Sequence, residues 1–185
     1  MDLDEELGKL KDTDIALVIA DAEEYVSVNQ QLLDHLVNGE GLAGIYVTVN
    51  KPYLTIVDTL EAAGIGTSEI FFIDAISEDT GAEDVTAENV AFLDSPQGLT
   101  DMSIAISEAV EKLPDEGNRV LVLDTLSTLM LYNDEDLVSQ FAHELSGKIR
   151  DWGVKGLMLT IQEEADEDLL ASLNQFVDEA IHVGQ

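Results

Sequence analysis

Cysteine is missing from all 185 residues, which excludes disulfides, thiolate zinc sites, iron–sulfur clusters and cysteine nucleophiles. Basic side chains are nearly as scarce: 8 Lys and Arg stand against 39 Asp and Glu. With no Lys/Arg patch to displace counterions from a phosphate backbone, nucleic acid is not an expected partner. No apolar run approaches the roughly 20 residues that cross a bilayer. The first residues, MDLDEELGKLKD, are acidic where a secretory signal is basic and then apolar. The expectation is a cytoplasmic protein without a membrane span. His35, His143 and His182 lie far apart in the chain and show no metal-ligand spacing, so no metal site is expected.

What is present is an apolar core inside an acidic surface. Hydrophobic residues make up 45% of the chain, enough to bury one sizeable core, and residues 1–185 are read as a single domain. The formal net charge is −31, spread along the chain rather than held in a tail. Such a surface repels itself in dilute buffer and is screened by multimolar salt. The scarcity of Lys, the Val and Thr content and the acidic surface resemble proteins of salt-loving archaea. Disorder fits poorly, because the apolar residues are periodic.

Apolar runs and helical stripes alternate along the chain. Residues 1–13 read as a short helix or loose leader. Ile15 to Ile19 (IALVI) is a strand buried on both faces. A helix follows with Val28, Leu32, Leu33, Leu36 and Val37 on one side and Asn38-Gly39 as its stop. Gly44 to Val49 is the second strand. Pro52 opens a helix striped by Tyr53, Ile56, Val57 and Leu60. Ile70 to Ile73 is a third strand ending at Asp74. Residues 77–94 are read as an exposed acidic loop region, with Val90 to Leu93 as a short extra strand inside it. Leu99, Met102, Ile106, Val110 and Leu113 stripe the next helix. After the strand Val120 to Leu123 comes the longest helix, with Leu137, Val138, Phe141, Leu145, Ile149 and Trp152 inward and Gly153 closing it. Gly156 to Ile161, a helix carrying Leu169, Leu170, Leu173 and Phe176, and Ala180 to Val183 complete the chain. Alternation of this kind predicts an α/β three-layer α/β/α sandwich on a mostly parallel sheet.

The stretch RVLVLDTLSTLML, Arg119 to Leu131, is the centre of that pattern. Its buried strand ends at Asp124 and runs into Thr125, Ser127 and Thr128. In open α/β sheets ligands bind at the carboxyl ends of the strands, so Asp124 is either a ligand-site acid or a loop starter. VLVLDTLSTL (120–129), GIYVTVNKP (44–52), FFIDAIS (71–77), SPQGLTDMSIAISEAV (95–110), GLMLTI (156–161) and DEAIHVG (178–184) together resemble the RecA-like ATPases of the KaiC branch. The resemblance covers nearly the whole chain. It implies a RecA-like sheet in which the Gly156–Ile161 strand lies between the first strand and the Asp124 strand, with Asp124 as the Walker B acid.

The chain departs from that family where phosphate would bind. A P-loop, G-x-x-x-x-G-K-[ST], cradles phosphates with backbone N–H groups and a lysine. Here the position reads ADAEEYVSVNQQ, with Asp21, Glu23, Glu24 and Ser27, and no Lys or Arg occurs from Ile15 through Gly44. The family's glutamate after the second strand is replaced by Asn50-Lys51-Pro52. The resemblance therefore implies a vestigial Walker B acid, a degenerate Walker A region, no cofactor and no catalytic residue. The expected role is regulatory or scaffolding, through protein contacts with itself as a homo-oligomer or with an active RecA/KaiC-like relative. The alternative is a ligand-binding protein or enzyme using Asp21, Thr48, Asp124, Thr160 and Gln162 at the strand ends, residual nucleotide binding included. A phosphoacceptor receiver would need a lysine closing the last strand, where this chain has Ala180-Ile181-His182-Val183.

Overall fold

The computed structural model describes residues 2–77, 87–115, 118–165 and 167–184, and in it the apolar runs become strands of one parallel sheet. The strands are β1 (Ile15–Ala20), β2 (Ala43–Thr48), β3 (Ile70–Asp74), β4 (Val90–Phe92), β5 (Arg119–Asp124), β6 (Lys155–Ile161) and β7 (Glu179–Val183). They form a seven-stranded sheet in the order β4-β3-β2-β5-β6-β1-β7. Every pairing is parallel. The expected placement of the Gly156–Ile161 strand between the first strand and the Asp124 strand is met. β1 and β6 are buried along their whole length, as interior parallel strands covered on both faces must be.

Successive side chains on each strand point to opposite faces, so each strand feeds two cores. On one face Ile15, Leu17, Ile19, Leu121 and Leu123 pack with Met102, Ile106, Phe141, Leu145 and Leu169. Those partners come from α4 (Leu99–Val110), α6 (Glu135–Trp152) and α7 (Glu167–Leu173). On the other face Ala16, Val18, Val120 and Val122 pack with Leu3, Leu7, Leu32, Ile56 and Leu60. These belong to α1 (Leu3–Leu7), α2 (Tyr25–Asp34) and α3 (Tyr53–Ala62). One further turn, α5 (Leu126–Leu129), follows β5 directly. Helices on both faces of a parallel sheet make the expected three-layer α/β/α sandwich.

Several local expectations change. The first residues are not a loose leader: Leu3, Leu7 and Leu10 repeat at helical spacing and are buried against α2 and the sheet. Leu137, expected inward, is 49% exposed, because the first turn of α6 overhangs the core and only from Val138 onward does its stripe reach the sheet. α7 ends at Leu173, so Phe176 lies beyond it and stacks at 4.6 Å on His143 of α6. Of the expected loop region 77–94, residues 78–86 lie outside the described residues. Ser77 is buried, its hydroxyl donating to Asp74 Oδ2 at 2.5 Å, and residues 90–92 form β4. Gly153 closes α6 as expected, in the left-handed conformation at φ 64°. That conformation lets its N–H reach back to the last carbonyls of the helix.

A sealed carboxylate at the strand ends

Asp124 closes β5 and is 0% exposed. It lies two residues after Val122 and so shares that residue's face, towards α2. Tyr25, the first residue of α2, donates its hydroxyl to Asp124 Oδ1 at 2.5 Å and Oδ2 at 2.6 Å. Tyr46 of β2, whose neighbour in register is Val122, also donates its hydroxyl to Asp124 Oδ2. Asn29, one helical turn after Tyr25, gives its amide to Asp124 Oδ2 at 3.1 Å and to the Tyr46 hydroxyl at 2.7 Å. The carboxylate thus has donors on both oxygens, all from its own chain.

Burial sets the electrostatics of this cluster. Desolvation raises the Asp124 pKa above the ordinary carboxylate value, outweighing the hydrogen bonds from Tyr25 and Tyr46, the charge of Lys51 and the Asn29 amide, which lower it. Both tyrosines are raised as well, by burial first and then by the Asp124 charge. They remain hydroxyl donors across the physiological range. Behind the cluster a cavity of about 30 Å³, lined by residues including Tyr25, Asn29, Lys51 and Leu60, has room for about one water molecule.

The hydroxyls after Asp124 are also engaged within the chain. Thr125 caps α5, accepting from the Thr128 N–H at 3.2 Å and lying 2.8 Å from the Thr128 hydroxyl. Ser127 Oγ accepts the Ile161 N–H at 3.1 Å, tying α5 to the end of β6. The Asp124–Thr125 peptide bond is cis.

The segment matched to a P-loop is short. Only Asp21–Glu24 joins β1 to α2, and it folds on itself: the Asp21 carbonyl accepts the N–H groups of Glu24 at 2.9 Å and Tyr25 at 3.0 Å. The Ala22 N–H is taken by the Glu163 carboxylate at 2.9 Å. Glu23, Glu24 and Ser27 are exposed, and Ser27 accepts from Gln31 Nε2 at 3.1 Å.

The strand-end residues named from the sequence fall into separate places. Asp21 and Gln162 meet in an open cleft of about 420 Å³ with Glu163 and His182, at the ends of β1, β6 and β7. Asp124 is sealed away under Tyr25 and Tyr46. Thr48, beside Asp124 in register, uses its hydroxyl on the Lys51 carbonyl at 2.6 Å. Thr160 is buried, and its hydroxyl has no hydrogen-bond partner among the described residues. Among the described residues no group of three or more His, Asp or Glu is placed to hold a metal ion. Sequence reasoning missed Tyr25, Asn29, Tyr46 and Glu163. Tyr46 carried a signal, since a tyrosine inside a continuous buried strand needs a partner for its hydroxyl.

This sheet order and these layers define a RecA/KaiC-like α/β fold. The KaiC-like protein PH0186 of Pyrococcus horikoshii superposes with a TM-score of 0.67 at 14% identity, covering 95% of this chain and 73% of that one. An uncharacterised protein of the same organism, PH0321, solved with an unknown peptide, gives 0.73 at 14% identity over 97% of this chain and 81% of that one. A third, PH0250, gives 0.66 at 13% identity over 100% and 89%. The chain itself belongs to DUF7504, a family of unknown function whose model matches residues 16–183. No curated protein matches it. No helix among the described residues is long and apolar enough to cross a membrane.

Proposed function

We propose that this protein is a non-catalytic RecA/KaiC-like regulator or scaffold of a salt-loving archaeon, working through protein contacts. The observation that carries the reading is the Asp124 carboxylate, enclosed by Tyr25, Tyr46 and Asn29. A Walker B acid must present an open oxygen to a magnesium ion shared with phosphate. Here both oxygens face tyrosine hydroxyls. The residues beside it do not fit a magnesium nucleotide either, because the Asp21–Glu24 connection has no lysine and the Ala22 N–H is held by Glu163. Glu23 and Glu24 add like charge. Two unit charges about 4 Å apart repel by about 1 kcal/mol in water and about 4 at an effective dielectric of 20.

The fold can carry a polypeptide, since PH0321 was solved with a peptide bound. The formal charge of −31 suits a saline cytoplasm. The partner is another copy or an active relative of the same fold. A second reading rests on the Asp21, Gln162, Glu163 and His182 cleft, which would take a small polar ligand. The scaffold is favoured over it because Asp124 does not open into that cleft.

The test is phosphate release from Mg-ATP in multimolar KCl, for the wild type and for Asp124→Asn. Equal background rates are expected. Turnover abolished by Asp124→Asn would overturn the reading.

A further inference from the structure

The largest exposed apolar side chains gather at one place, on the face opposite the Asp124 cluster. Leu131 is 76% exposed, Ile104 52% and Leu137 49%. Two clefts join at Leu137. One, of about 360 Å³ between α4 and α6, includes Leu99, Ile104 and Phe141 in its walls. The other, of about 480 Å³ over the turn from α5 to α6, includes Met130, Leu131 and Tyr132. The turn is held in place: Asn133 donates its amide to the Pro96 carbonyl at 3.0 Å and to the Leu129 carbonyl at 3.1 Å. The exposed leucine is therefore displayed on a fixed support.

We propose that this groove receives a basic amphipathic helix of a partner protein. The proposal rests on the reading above, that the protein acts through protein contacts, and adds the surface and the chemistry of the partner. Charge selects the occupant. Asp134 and Glu144 line the groove, Asp101 and Asp136 flank it in the first turns of α4 and α6, and Lys148 at the far end is the one cation lining either cleft. A second copy would bring its own acids against these, whereas Lys or Arg on the rim of an incoming helix would pair with them. The 12 residues of α4 span about 18 Å, room for about three turns of a helix with apolar residues at i, i+3, i+4 and i+7.

The probe is a fluorescein-labelled synthetic helix of leucine and lysine with all its leucines on one side. A scrambled isomer and a leucine–glutamate analogue serve as controls. Each is titrated by fluorescence anisotropy into the full-length chain without nucleotide. Saturable binding of the leucine–lysine helix alone is expected. It should weaken about tenfold or more in the Ile104→Ser, Leu137→Ser double variant. In Leu54→Ser it should be unchanged, that exposed leucine lying on α3 across the sheet. Circular dichroism checks that the variants keep the fold. Equal binding by the scrambled peptide or by the groove variant would reduce the effect to attraction by net charge and overturn the proposal. Self-association abolished by the same double variant would overturn it in favour of a second copy. A failure here leaves the nucleotide result standing, and Mg-ATP turnover would overturn the scaffold reading without touching the groove measurement.

Discussion

Replacing Tyr46 by phenylalanine removes one of the donors that hold Asp124 while leaving the ring packed against Phe72 at 5.9 Å. A hydrogen bond to a buried charged group contributes about 1.5–3 kcal/mol, and a neutral one about 0.5–1.5. Tyr46→Phe should therefore destabilise the protein by about 2 kcal/mol at neutral pH. Asp124→Asn is a milder change. Oδ2 accepts from Tyr46 and Asn29, while Oδ1 meets only Tyr25. An amide can keep its oxygen on the crowded side and offer its NH₂ to the Tyr25 oxygen, at a cost of under about 1 kcal/mol. In the Asp124→Asn background Tyr46→Phe should cost only about 1 kcal/mol, so the two sites couple by about 1 kcal/mol. Equilibrium urea unfolding in multimolar KCl, with both single variants and the double, measures this. The pH dependence follows from the raised Asp124 pKa. The folded protein holds that proton more tightly than the unfolded chain, so this group's contribution to stability falls as pH rises from about 3.9 through the raised value. Asp124→Asn should remove that fall. Additive costs for Tyr46→Phe and Asp124→Asn would refute a charged, tyrosine-held carboxylate.

Asp178 behaves with the opposite sign. Arg150 at 2.9 Å and the Ile15 N–H at 2.9 Å hold its pKa below the ordinary value. Its contribution is present above about pH 3.9 and lost as pH falls through the lowered value. As an exposed pair it is worth under about 1 kcal/mol, and Asp178→Asn should flatten the acid limb of the stability profile by that much. Gly184 has φ 131°, and a Cβ there would overlap the Asp21 carboxylate. Gly184→Ala should lower stability by about 1–2 kcal/mol, measured by urea unfolding, with Asp21→Ala relieving the overlap but not the backbone strain. Lys155 is 3% exposed and bonded to Glu40, itself 24% exposed, at 2.9 Å. Glu40→Gln leaves a buried ammonium uncompensated and should cost about 3 kcal/mol, more than Lys155→Met, which leaves an acid that water can reach. Thermal melts at one salt concentration give the order.

The layers were legible because their signals are continuous and local. IALVI and VLVLD are apolar on both faces, and a strand buried on both faces needs that pattern. The α6 stripe from Val138 to Ile149 was equally plain. Leu137 was misjudged because periodicity assigns a face without saying where the sheet beneath it ends. Leu3, Leu7 and Leu10 went unread as a packed stripe because acidic residues surround them. The site was legible only through what was missing, the glycines and lysine between β1 and α2. Its substitutes could not be read, since Tyr25, Asn29 and Tyr46 meet Asp124 across separations of 78–99 residues. Only the folded sheet brings those hydroxyls and that amide to one carboxylate.

The central claim is that the place where this fold would hold nucleotide is filled by its own side chains. Isothermal titration of the full-length chain with Mg-ATP in multimolar KCl tests it most directly. The account predicts no saturable heat up to millimolar nucleotide; a micromolar dissociation constant would contradict it.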